Sequence, residues 1–114
     1  MPVPTELRVS ADRRTLHVAF PGESHAIAAE LLRVRSPSAE VQGHSPEQAV
    51  LVAGKRDVAI AAIHPTGRYA VRIAFTDGHD TGIFTWDTLG RFGREGEAMM
   101  REYEAELLAA GRER

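Results

Sequence analysis

The sequence predicts an α+β fold: a mostly antiparallel β-sheet of hairpins, a short helix after the first hairpin, and a C-terminal helix at about 96–110. Three observations carry this expectation. Apolar residues alternate with polar or small ones in short runs separated by turn residues, the period of half-buried strands. Ala28-Ala29-Glu30-Leu31-Leu32-Arg33 is a compact run of helix formers. Beyond Gly96 the apolar spacing changes to that of one helical face.

Leu7 and Val9, then Leu16, Val18 and Phe20, alternate on either side of the polar turn Ala11-Asp12-Arg13-Arg14 and form the first predicted hairpin. His25 and Ile27 continue as a short strand after Pro21-Gly22, and Ser36-Pro37-Ser38 ends the helix that follows. From Val34 to Ala49 the composition turns to Ser, Pro, Gly, His and Glu, which suits either a surface binding loop or a plain connection. Ala49-Val50-Leu51-Val52 and Val58 to Ile63, flanking Ala53-Gly54-Lys55-Arg56-Asp57, read as a second hairpin. Tyr69, Val71, Ile73 and Phe75 give the clearest alternating strand. Asp77-Gly78 is a strong turn dipeptide, and Ile83 to Trp86 returns as the partner strand. Asp87 is the expected N-cap of the next segment, with Leu89 and Phe92 facing the core. Met100, Tyr103 and Leu107 form one stripe of the last helix, a face for docking on the same chain or on a second copy.

A chain of 114 residues is expected to form one domain, spanning 1–114. With 14 basic and 16 acidic residues and a formal charge of −2, it has no cationic surplus for nucleic acid or an anionic membrane. The absence of cysteine excludes disulfides, thiolate zinc sites and a cysteine nucleophile. The start MPVPTELRV has no signal-peptide pattern, and no stretch is apolar enough to span a bilayer, so a cytoplasmic, soluble protein is expected.

The histidines fit no catalytic spacing. His17, His25, His44, His64 and His79 are followed two places on by Ala, Ile, Pro, Thr and Thr, so the His-x-Asp/Glu pattern of a facial iron triad does not occur. A His-Glu-x-x-His helix is also missing. Gly54-Lys55 is followed by Arg56 rather than Ser or Thr and lacks the upstream glycine of a phosphate loop. Ser24 lies between Gly22 and His25 without the second glycine of a nucleophile elbow. No catalytic residue is assigned, and the chain is not expected to be an enzyme.

The stretches LLRVRSPSAEVQGH, GKRDVAI, GRYAVRIAFTDGHDTGIFTW and LGRFG, from about Leu7 to Gly93, resemble the gamma-butyrobetaine-hydroxylase-like N-terminal domain family, small bacterial domains of unassigned function. In oxygenases that carry this module, the resemblance implies, catalysis belongs to a following domain that binds iron and 2-oxoglutarate. There the module resembles a zinc-stapled unit with three loop cysteines and one turn histidine. The matching positions here are Ser36, Ser38, Val41 and His79, so the staple is not expected to carry over. The family also resembles a module fused to P-loop ATPases that carry iron–sulfur clusters.

These considerations yield a leading expectation of a non-catalytic cytosolic accessory module that binds another protein, with a role in iron–sulfur cluster or metalloenzyme assembly and an iron–sulfur carrier ATPase as one such partner. No cofactor is expected. The contact or structural site is drawn from Arg33, Arg35, Ser36, Ser38, His44, Asp77, His79, Asp80 and Trp86. The alternative is a metal-binding accessory protein related to the oxygenase N-terminal domain, holding iron or zinc through His79, Asp80 and His44. His79 is open to either reading, as a ligand or partner contact or as a hydrogen-bonding residue that fixes its turn. Self-association through the C-terminal helix is open as well.

Overall fold

The computed structural model describes residues 3–38, 41 and 50–114. Among the described residues, two three-stranded antiparallel sheets are each followed by a helix. The first sheet runs in the order β1 (Glu6–Val9), β2 (Thr15–Phe20), β3 (Glu23–Ala28), and the chain then enters α1 (Ala29–Val34) directly. The second has β4 (Ile60–Thr66), β5 (Ala70–Phe75) and β6 (Gly82–Thr85), followed by α2 (Trp86–Ala109).

Alternation decides which face each strand buries. Leu16, Val18 and Phe20 of β2 point inward, as do Val71, Ile73 and Phe75 of β5. Ile27, Leu31, Leu32, Phe84, Leu89 and Phe92 complete the same core. The sheets are stitched at one corner by Arg13, which takes a left-handed backbone conformation (φ 62°). Its carbonyl accepts the Ile60 amide at 2.8 Å, and its guanidinium donates to the carbonyls of Ile60 and Ala61 at 2.6 and 2.7 Å. A non-glycine residue in that region is strained by about 1–2 kcal/mol, and the bonds across the corner offset it.

The second hairpin differs from the expected one. Strand β4 begins at Ile60 and pairs with β5 through Ile63↔Ile73 and Thr66↔Ala70, with an irregularity between Ile60 and Ala62. It does not pair with the Val50 segment. Leu51, Val52 and Ala53 instead pack against Val34, Tyr103 and Leu107, and Tyr103 donates its hydroxyl to the Val52 carbonyl at 2.6 Å. A short apolar run is ambiguous by pattern alone, and here the α2 surface claims it. Ala49 lies outside the described residues.

Helix α2 starts well before Gly96, at Trp86, and its N-cap is Thr85 rather than Asp87. Thr85 Oγ1 accepts the Thr88 amide at 3.1 Å, while Asp87 sits in the first turn, where a carboxylate favours the helix dipole. Trp86, expected to end β6, opens the helix. Of the glycines that concealed this continuity, Gly93 has a packing reason. A Cβ on Gly93 would lie 2.3 Å from Cγ of the His25 ring, so glycine lets the helix backbone approach β3. Tyr103 and Leu107 are buried against the same chain, whereas Met100 of the expected stripe is only half-buried. Arg114 closes the far end by bonding Glu30, a buried carboxylate of α1, at 2.5 and 3.1 Å.

Three outcomes test this packing. Leu107→Ala should lower stability by about 2–3 kcal/mol in urea denaturation, as a buried leucine truncation does. Gly96→Ala, whose Cβ would meet Leu31 at an ordinary 3.6 Å, should raise the midpoint through helix propensity. Gly93→Ala should lower it despite the same propensity gain, because the His25 ring blocks the added methyl.

Candidate functional site

The polar cluster forms where the β5–β6 turn meets the C-terminal end of α1. Asp77-Gly78 makes the reversal: Gly78 adopts φ 92°, a region glycine enters freely, and its amide donates to the Phe75 carbonyl at 3.1 Å. The Phe75 amide donates to the His79 carbonyl at 2.8 Å, closing the turn. The His79 amide donates to Asp77 Oδ1 at 3.1 Å, so the aspartate side chain braces its own turn.

The other oxygen of Asp77 reaches across the fold. Oδ2 accepts Arg33 Nε at 2.7 Å from the last turn of α1, and Lys55 Nζ at 2.6 Å from the segment before β4. One carboxylate thus ties three parts of the chain together. Burial pushes the Asp77 carboxyl up, but the hydrogen bonds from Lys55 and Arg33, then that from the His79 amide and the Arg33 charge, outweigh it and bring it from 3.8 to about 2.

Beside this clamp, the His79 ring is 7% exposed and points to two buried hydroxyls. Its Nε2 lies 3.1 Å from Ser36 Oγ and 3.4 Å from Ser38 Oγ, and its ring sits 6.1 Å from that of Phe75. Gly82 is the permissive wall of this pocket, because a Cβ there would lie 2.1 Å from Ser36 Oγ.

The expected site residues therefore separate. Arg33, Ser36, Ser38, Asp77 and His79 come together. Arg35 turns the other way, stacking its guanidinium 5.4 Å from the Tyr103 ring centroid and pairing with Glu106. Asp80 faces outward toward Arg72, whose Nη1 also bonds the Asp80 carbonyl at 3.0 Å. Trp86 packs at the core margin and donates Nε1–H to the Arg68 carbonyl at 3.0 Å, at the opposite end of β6. His44 lies outside the described residues. Lys55 is the member that sequence reasoning missed; its only signal is its place in the GKRDVAI stretch.

A zinc staple does not fit this donor set. One imidazole and two neutral hydroxyls, with a buried apolar Val41 at the remaining family position, do not make a zinc site, which takes thiolates, imidazoles and carboxylates. Asp80 does not join His79, and no group of three metal-ligating His, Asp or Glu side chains occurs among the described residues. The arrangement can fasten a turn and a post-helical segment by hydrogen bonds.

Fold and site together define a small α+β module with a polar junction between its second sheet and its first helix. The chain belongs to the gamma-butyrobetaine hydroxylase-like N-terminal domain family, whose sequence model matches residues 7–90. Two proteins solved in solution by NMR resemble it over the whole chain, one at 41% identity (TM-score 0.87, 90% of that chain covered) and one at 42% (0.85, 86% covered). A crystal structure from Acidithiobacillus ferrooxidans, of a protein of unknown function, is 36% identical over 79% of this chain and 91% of its own (TM-score 0.65). None of the curated proteins matches the sequence at a significant level.

The junction makes a direct prediction. His79→Asn should lower stability by about 1–2 kcal/mol as a buried polar partnership is lost, and should speed amide exchange in residues 34–38. Chelator should leave the denaturation curves of wild type and variant unchanged. Chelator-induced loss of stability in the wild type alone would make His79 a metal ligand.

Proposed function

We propose that this protein is a non-catalytic cytosolic accessory module that binds another protein through the segment from Val34 to Ala49 and the adjoining turn from Asp77 to Gly82. The observation that supports this reading is the use to which the junction's polar groups are put. Asp77 is committed to Arg33, Lys55 and its own turn, and His79 is shared with Ser36 and Ser38. Groups committed in this way anchor a surface and are not poised to react with a substrate.

The family description, an N-terminal domain related to gamma-butyrobetaine hydroxylase, suits a module that serves a neighbouring or associated protein. Service to iron–sulfur cluster or metalloenzyme assembly, with an iron–sulfur carrier ATPase as partner, is the specific form of this proposal. The role needs no resident cofactor. Among the described residues, no helix is long and apolar enough to cross a membrane. Self-association through α2 would require a face other than Tyr103 and Leu107, which are already buried against the chain's own core.

The test is affinity capture from the protein's own cells, comparing the wild type with a variant whose residues 42–49 are replaced by a Gly-Ser stretch of equal length. Reproducible retention of one protein by the wild type, lost in a variant with an unchanged thermal midpoint, is the expected outcome. Equal retention by both forms would place binding elsewhere, and stoichiometric iron or zinc after dialysis would overturn the module's metal-free form.

A further inference from the structure

We infer that Lys55 is a docking contact for a carboxylate side chain on the bound protein, so that the partner presents an acidic residue to the rim of the Arg33–Asp77–Lys55 cluster. This rests on the protein-binding reading above and gives the partner's surface a chemistry.

The cluster holds more cationic donors than acceptors. Asp77 Oδ2 receives both Arg33 Nε and Lys55 Nζ, and Oδ1 is occupied by the His79 amide. Among the described residues no other carboxylate pairs with Arg33 or Lys55, and Arg33 Nη1 is buried without a hydrogen-bond partner. Two positive charges against one negative, at side-chain exposures of 12, 18 and 25% for Arg33, Asp77 and Lys55, leave a partly desolvated excess of one positive charge. Such an excess favours a second anion.

The three members are not equally free to meet it. Arg33 is the least exposed and is fixed on α1, while Lys55 is the most exposed and sits outside any helix or strand. A lysine ammonium on a four-carbon stem can exchange one carboxylate for another, whereas the rigid guanidinium keeps its geometry. If Lys55 turns to an incoming carboxylate, Asp77 keeps Arg33 and the His79 amide, and the two Thr76–Ala59 hydrogen bonds still hold the segment before β4 to the turn. With a formal net charge of −2 the rest of the chain does not favour a polyanion in general, so an acidic protein surface engaging this local excess is favoured over nucleic acid.

The probe is a hexaglutamate peptide titrated into the full chain at low ionic strength and followed by amide chemical shifts, with inorganic phosphate as a parallel arm. Expected are saturable shifts centred on residues 33–38, 54–56 and 77–80, weakened about fivefold or more in Lys55→Gln. Lys55→Arg should restore them, Arg56→Gln, an exposed neighbour, should not alter them, and all variants should keep a dispersed native spectrum. Equal affinity in Lys55→Gln, shifts scattered over Arg56, Arg68 and Arg91 alike, or the same shifts with phosphate alone would each overturn the inference. If capture through residues 42–49 succeeds while hexaglutamate fails to bind, only the acidic chemistry of the partner falls and the protein-binding role stands.

Discussion

The carboxylate of Asp77 is the constraint on which the arrangement of this molecule turns. The Thr76–Ala59 and His79–Ser36 hydrogen bonds join these parts in pairs, and this carboxylate ties the β5–β6 reversal, the end of α1 and the segment entering β4 to one point. Through it, a turn that needs Gly78 in a left-handed conformation is held against α1 by Arg33 and against the Val50–Val58 segment by Lys55. Surface ion pairs contribute little on average, because solvent screens them and side-chain entropy opposes them. This one is partly buried, and a backbone amide adds to the Lys55 and Arg33 hydrogen bonds that favour the ionised form.

The position of His79 follows from that clamp. Once Asp77 fixes the turn, the imidazole is delivered to Ser36 and Ser38, and Gly82 leaves room for the Ser36 hydroxyl. Hydrogen bonds thus hold Ser36 and Ser38, just after α1, against the turn. Val50 to Ala53 are fixed by different means: Val50 bonds the Val41 carbonyl, Leu51 to Ala53 lie on α2, and the Tyr103 hydroxyl and Arg112 guanidinium take the Val52 and Leu51 carbonyls.

Much of the fold was legible because alternation and turn chemistry act locally. The β1–β2 hairpin, the strand from Ala70 to Phe75, the Asp77-Gly78 turn and the short helix after β3 all agree with the sequence pattern. What was not legible depended on distant partners. The Val50–Ala53 run has strand-like composition, but Tyr103 and Leu107, far along the chain, decide its fate. The early start of α2 was concealed by Gly90, Gly93 and Gly96, of which Gly93 is required by the close approach of the His25 ring on β3, a contact that spacing does not reveal. At the site, the Ser36, Ser38 and His79 grouping was readable through family likeness, and Arg33 and Asp77 were both named. Lys55 was not, because nothing local distinguishes it from a solvated turn lysine. Arg35 and Trp86 were named with the site because they lie in the stretches that carry the family likeness, although one packs on α2 and the other at the far end of β6.

The most direct test of the central claim is the pH dependence of unfolding in the wild type and in Asp77→Asn. A carboxyl whose folded value, about 2, lies below its unfolded value of 3.8 contributes stability that is fully present above 3.8 and is lost as pH falls toward 2. Urea denaturation between pH 7 and pH 2 should show the wild type more stable by on the order of 1–2 kcal/mol at neutral pH, allowing for partial screening. The two curves should converge in the acid limb as Asp77 takes up its proton. A constant difference across the whole range, or none at neutral pH, would contradict the account and reduce the Asp77 clamp to an ordinary surface ion pair.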